Sequence, residues 1–96
     1  MEFEFDAAKS DFNRDKHGVD FVEAQQLWLV ATWEQDLPYE GEPRQMKTGR
    51  IGDRLWSAVY TMRGTAVRLI SVRRARMDEA ESYERHVTEQ GDDDQS

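Results

Sequence analysis

Four arginines, Arg44, Arg68, Arg73 and Arg74, fall on or beside stretches that read as β-strand, and Lys16-His17 closes a stretch that reads as helix. Arginine's planar fork grips a phosphate through two parallel hydrogen bonds and does not deprotonate. Imidazole ordinarily titrates near pH ~6.5, where proton transfer to and from oxygen is efficient. These types together suit a phosphate-bearing polyanion, with His17 as the well-placed imidazole. Each also has a plainer reading. Lys16 and His17 satisfy the dipole at a helix C-terminus. A mid-strand Arg68 pairs with a helix carboxylate such as Glu79. Arg74 is a solvated charge, and Tyr83 packs against the sheet.

Charge distribution supports the polyanion reading more than the total does. The chain has 96 residues and a net charge of −7. Residues 1–43 carry three Lys+Arg and eleven Asp+Glu, a net of −8. Residues 44–76 carry nine Lys+Arg and one Asp, a net of +8, and residues 77–96 carry one Arg and eight Asp+Glu, a net of −7. A local field, not the overall charge, steers a polyanion to a surface. The competing reading is that basic strands simply neutralise acidic helices. There is no cysteine, which excludes disulfides and thiolate chemistry, and the two histidines lack ligand spacing, so no metal or cofactor is expected. The longest apolar run, Leu27 to Ala31, is too short for a bilayer, and the acidic N-terminus is unlike a signal peptide, so a cytoplasmic protein without a membrane partner is expected.

The elements that must hold these residues can be read in order. Glu2 to Phe5 alternates acidic and aromatic, the period of a half-buried strand. Asp6 is placed to cap a helix that ends at Gly18. Asp20 and Glu23 have capping-box spacing, and Phe21, Ala24, Leu27, Trp28 and Ala31 predict a second helix. Residues 34–43, with both prolines and Gly41, read as a loop. Strands at 44–50, 55–62 and 66–73, turning at Gly52-Asp53 and Arg63-Gly64, form an antiparallel meander. Asp78 and Glu81 open a last helix with a stripe of Met77, Ala80, Tyr83 and Val87. The expected order is β-α-α-β-β-β-α, an α+β domain over residues 1–88 with its helices on one sheet face, followed by an acidic, disordered tail at 89–96. Strict strand alternation puts Arg68 with Val72 and Arg74, and Arg73 with Leu69, on opposite faces.

Several of these stretches, in this order, resemble the BrnT toxin family. They are Phe5-Asp6-Ala7-Ala8-Lys9, Asn13, Lys16-His17-Gly18-Val19 and Phe21-Glu23-Ala24, then Gly41-Glu42-x-Arg44 with Gly49. Val59-Tyr60-Thr61, the block Arg68-Leu69-Ile70-Ser71-Val72-Arg73-Arg74-Ala75, and Glu79 with Tyr83 complete the pattern. Pro43 inside the middle motif and the acidic tail depart from it. The resemblance implies a RelE-like fold and a type II toxin that cleaves RNA without metal. It also implies neutralisation by a BrnA-like antitoxin, through which alone the pair would touch operator DNA. On this view Arg73, Arg68, His17 and Tyr83 are the catalytic candidates, and Arg44, Lys16 and Arg74 hold RNA phosphates. The alternative is a non-enzymatic module whose basic strands bind an acidic protein partner.

Overall fold

The computed structural model describes residues 1–38 and 40–95, with side chains described as far as Thr88. Of the tail expected to be disordered, 89–96, the backbone is described as far as Gln95, as the end of the last helix, and the side chains lie outside the described residues. The chain runs β1 (Glu2–Glu4), α1 (Ala7–His17), a 3₁₀ helix (Glu23–Trp28), β2 (Thr32–Leu37), β3 (Arg44–Ile51), β4 (Arg54–Arg63), β5 (Ala66–Arg74) and α2 (Met77–Gln95). This is an α+β arrangement on one five-stranded sheet, ordered β1-β5-β4-β3-β2.

The β3–β5 meander and the limits of α1 follow the sequence. Asp6 accepts a hydrogen bond from the Lys9 backbone at 3.1 Å, and Gly18 closes the helix at φ 96°. Four features depart from expectation. First, the second helix is a short 3₁₀ segment. Asp20 accepts a bond from the Glu23 N–H at 2.8 Å ahead of it, and Phe21, Ala24 and Leu27 are buried. The β-branched and aromatic run that follows then suits extended chain. Second, that run becomes β2, pairing antiparallel with β3 from Thr32↔Gly49 to Leu37↔Arg44. Its charges are tolerated because it is an edge strand, and Pro38, lacking an N–H, lies just past its end. The loop is thus shorter than 34–43. Third, β1 enters as a parallel edge strand on β5, with Phe3 opposite Val67, so the sheet is not wholly antiparallel.

Fourth, the helices do not share a face. Trp56, Ala58 and Tyr60 join Val19, Phe21, Ala24 and Leu27 in the core beneath α1 and the 3₁₀ helix. Ser57, of opposite parity, bonds to Glu79 of α2, which packs over β2 and β3 on the other face. Beyond β1, the edge of β5 is closed by a side chain. Asn13 donates to the Val72 and Val19 carbonyls at 2.8 and 2.7 Å and accepts from the Val72 N–H at 3.3 Å. At the rim of the core, Lys47 bonds Glu34 at 2.6 Å and lies 5.0 Å from the Trp28 ring.

Candidate functional site

A single extra residue decides which arginines share a face of the sheet. In the β4–β5 ladder Thr61 pairs with Arg68 and Tyr60 with Leu69, but Val59 pairs with Ser71. Ile70 is therefore skipped, a β-bulge that reverses the parity of everything after it. Arg68, opposite Thr61, and Arg73, opposite Ser57, consequently share one face. Arg44 joins them, because it has the parity of Thr48, which pairs with Ser57. The strict alternation that separated Arg68 from Arg73 is overturned by this bulge. Arg74 turns to the other face, its guanidinium 5.7 Å from the Trp56 ring.

Arg73 is held by α2. Its fork makes two 2.8 Å bonds to the Glu79 carboxylate, and the remaining terminal N–H groups reach the Arg74 carbonyl at 3.2 Å and Met46 Sδ at 3.7 Å. Glu79 also accepts from Ser57 Oγ at 2.8 Å and the Arg76 N–H at 3.0 Å, and Ser57 contacts Thr48 Oγ1 at 2.7 Å. Burial pushes the Glu79 carboxyl up. The bonds from Arg73, Arg76 and Ser57, with the Arg73 charge, outweigh it and hold the group at about 2. The same carboxylate raises Arg73 further. Tyr83, one turn beyond Glu79, is buried. Arg73, rather than Arg68, is thus the partner of Glu79.

Arg68 is half-buried and pairs with β1. Its guanidinium lies 3.8 Å from Glu4, and its side chain is 33 % exposed. With Arg44, Arg63 and Lys9 it lines a polar cleft of about 450 Å³, whose carboxylates are Asp6, Glu40 and Glu42. Arg63 is paired with Glu42 through two bonds, at 3.2 and 3.4 Å. A second cleft of about 300 Å³ runs between α1 and β5, lined by Phe12, Lys16, His17 and Ser71. Lys9 and the bulge residue Ile70 line both clefts, so the two adjoin. Two predicted groups far apart in sequence, Lys16-His17 and Arg44-Arg68, therefore line neighbouring clefts that meet at Lys9 and Ile70. Lys9, Phe12 and Arg63 were not singled out from the sequence. The spacing of Lys9, Phe12 and Lys16 on one helix face was the available signal for two of them.

One cleft offers cations suited to phosphate oxygens, and the adjoining cleft carries an imidazole. Among the described residues no group of three or more His, Cys, Asp or Glu side chains is placed to hold a metal ion. No helix among them is long and apolar enough to cross a membrane. Comparison with curated proteins finds no match. A family model does match, over residues 5–79: "Ribonuclease toxin, BrnT, of type II toxin-antitoxin system".

Proposed function

We propose, since the chain belongs to the BrnT family of ribonuclease toxins of type II toxin–antitoxin systems, that it is an endoribonuclease acting without a metal ion. The fold is read as the RelE-like arrangement the family resemblance implies. A ribose 2′-hydroxyl loses its proton and attacks the adjacent phosphorus. The P–O5′ bond breaks, the 5′-oxygen takes up a proton, and a 2′,3′-cyclic phosphate remains. Arg68 and Arg44 face the phosphate oxygens, where preorganised cations stabilise developing charge. His17 carries a proton at one end of the step, a contribution of about 10²–10⁴-fold. Lys9 and Lys16 hold neighbouring phosphates. Arg73 and Tyr83 act from behind, by fixing α2 against the strands that carry Arg44 and Arg68. Arg74 is a flanking cation.

The observation that supports this reading is that the two clefts adjoin at Lys9 and Ile70, one lined by His17 and Lys16 and the other by Arg68 and Arg44. The toxin works in the cytoplasm and is silenced by a BrnA-like antitoxin, which supplies the contacts to operator DNA. Incubating folded protein with RNA in EDTA tests the chemistry. Fragments ending in 2′,3′-cyclic phosphate and 5′-hydroxyl are expected. Intact RNA would remove the proposal and leave a binding module without turnover.

A further inference from the structure

We infer that Phe12 is a stacking platform for an unpaired base, so that the adjoining clefts take single-stranded rather than double-stranded RNA. The inference rests on the reading of the clefts as an RNA site and adds the form of RNA they accept.

Phe12 is 65 % exposed on α1, a helix whose buried residues are Ser10 and Asn13. Its ring therefore contributes little to the core, and an exposed ring of that size needs another account. Its surroundings supply one. Phe12 lines the second cleft beside Lys16 and His17, with Lys9 at the junction to the arginine-lined cleft. Lys16, one turn on, places its Nζ 5.9 Å from the ring centroid. An aromatic ring with an ammonium over one face matches a nucleotide's two parts, since the base lies on the other face and its phosphate meets the cation. Ile70 and Ser71 of β5 line the same open cleft. In a duplex the faces of each base are covered by its stacked neighbours, and only an unpaired, splayed base can present one to Phe12.

The test is binding of a fluorescent 2′-O-methyl oligoribonucleotide of mixed sequence, as a single strand and annealed to its complement. The methyl group removes the nucleophile, so binding is read without cleavage. Phe12→Leu keeps an apolar side chain and removes the π face, whereas Phe12→Trp keeps a face. The expected result is tighter binding of the single strand than of the duplex by wild-type protein. Phe12→Leu should weaken single-strand binding about tenfold, with recovery in Phe12→Trp, and leave duplex binding unchanged. All three proteins should melt within a few degrees of one another, because the ring is exposed. If wild-type protein binds RNA and Phe12→Leu binds the single strand equally well, the platform is refuted and the RNA site stands. Equal affinity of wild-type protein for both forms also refutes it. If wild-type protein binds neither form, the RNA-site reading and the platform fall together.

Discussion

Replacing Glu79 with glutamine perturbs the contact between α2 and the sheet while preserving the size of the side chain. The carboxylate takes two bonds from Arg73, one from Ser57 and one from the Arg76 N–H, and is 6 % exposed. An amide keeps one oxygen as acceptor, forfeits the second Arg73 bond and leaves the guanidinium without its counter-charge. The size of the loss follows from the carboxyl group, held at about 2 against an ordinary 4.5. That displacement corresponds to about 3 kcal/mol favouring the folded, ionised state. Because the folded value is depressed, this stabilisation is complete above pH ~4.5 and fades as pH falls towards ~2. Urea unfolding of both proteins from pH 7 to pH 2.5 is the assay. At a slope of about 1.5 kcal/mol per molar, Glu79→Gln should unfold about 2 M earlier at neutral pH. The gap should close in acid, where the wild-type carboxyl is itself protonated, and the other titrating groups cancel between the two proteins. A neutral-pH gap below about 0.5 M, or one that stays constant through the acid range, would refute this account.

Arg68→Ala should fold normally, since an exposed ion pair with Glu4 is worth about 0–1 kcal/mol, yet lose about 10²-fold or more in RNA cleavage. Full activity in a folded sample would take Arg68 out of the site. Arg73→Ala is the less informative variant, because its loss also strands Glu79 and unlatches α2. Asn13→Ala removes three hydrogen bonds, two to Val72 at the β5 edge and one to Val19, and should cost about 2–3 kcal/mol, lowering the melting temperature by about 10–20 °C. A change under about 4 °C would mean that water replaces the amide there.

The parts of the fold written in local signals were readable in advance. Asp6 and Gly18 bound α1 because capping is settled within a few residues. The β3–β5 meander follows from apolar strands and tight turns. Where long-range pairing decides, local pattern misleads. Glu34 and Asp36 look like loop residues, but β3 offers its edge and the backbone of Thr32–Leu37 takes it. The stripe at Phe21, Ala24 and Leu27 fits a long helix, and a 3₁₀ turn suffices to bury it. For the site, the residue types were legible and their grouping was not. Nothing in Arg68-Leu69-Ile70-Ser71-Val72-Arg73 announces that Ile70 will be skipped, since the bulge exists only in the pairing with β4. The plainer reading of Arg68, paired with a helix carboxylate such as Glu79, fails because Arg73 takes that carboxylate and Arg68 meets Glu4 instead. Lys9 and Phe12 seemed ordinary surface residues until α1 lay against β5.

The parallel pairing of β1 with β5 carries a consequence for biosynthesis. Glu2 finds its partner only at Ala66, 64 positions later, and Arg73 meets Glu79 later still. A ribosome therefore extrudes Lys9, Phe12 and His17 long before the strand that faces them. Closing so long a stretch costs chain entropy ahead of any contact that repays it, and slows assembly. The two adjoining clefts are consequently among the last parts of the molecule to come into being, and a nascent chain interrupted before residue 66 cannot form them.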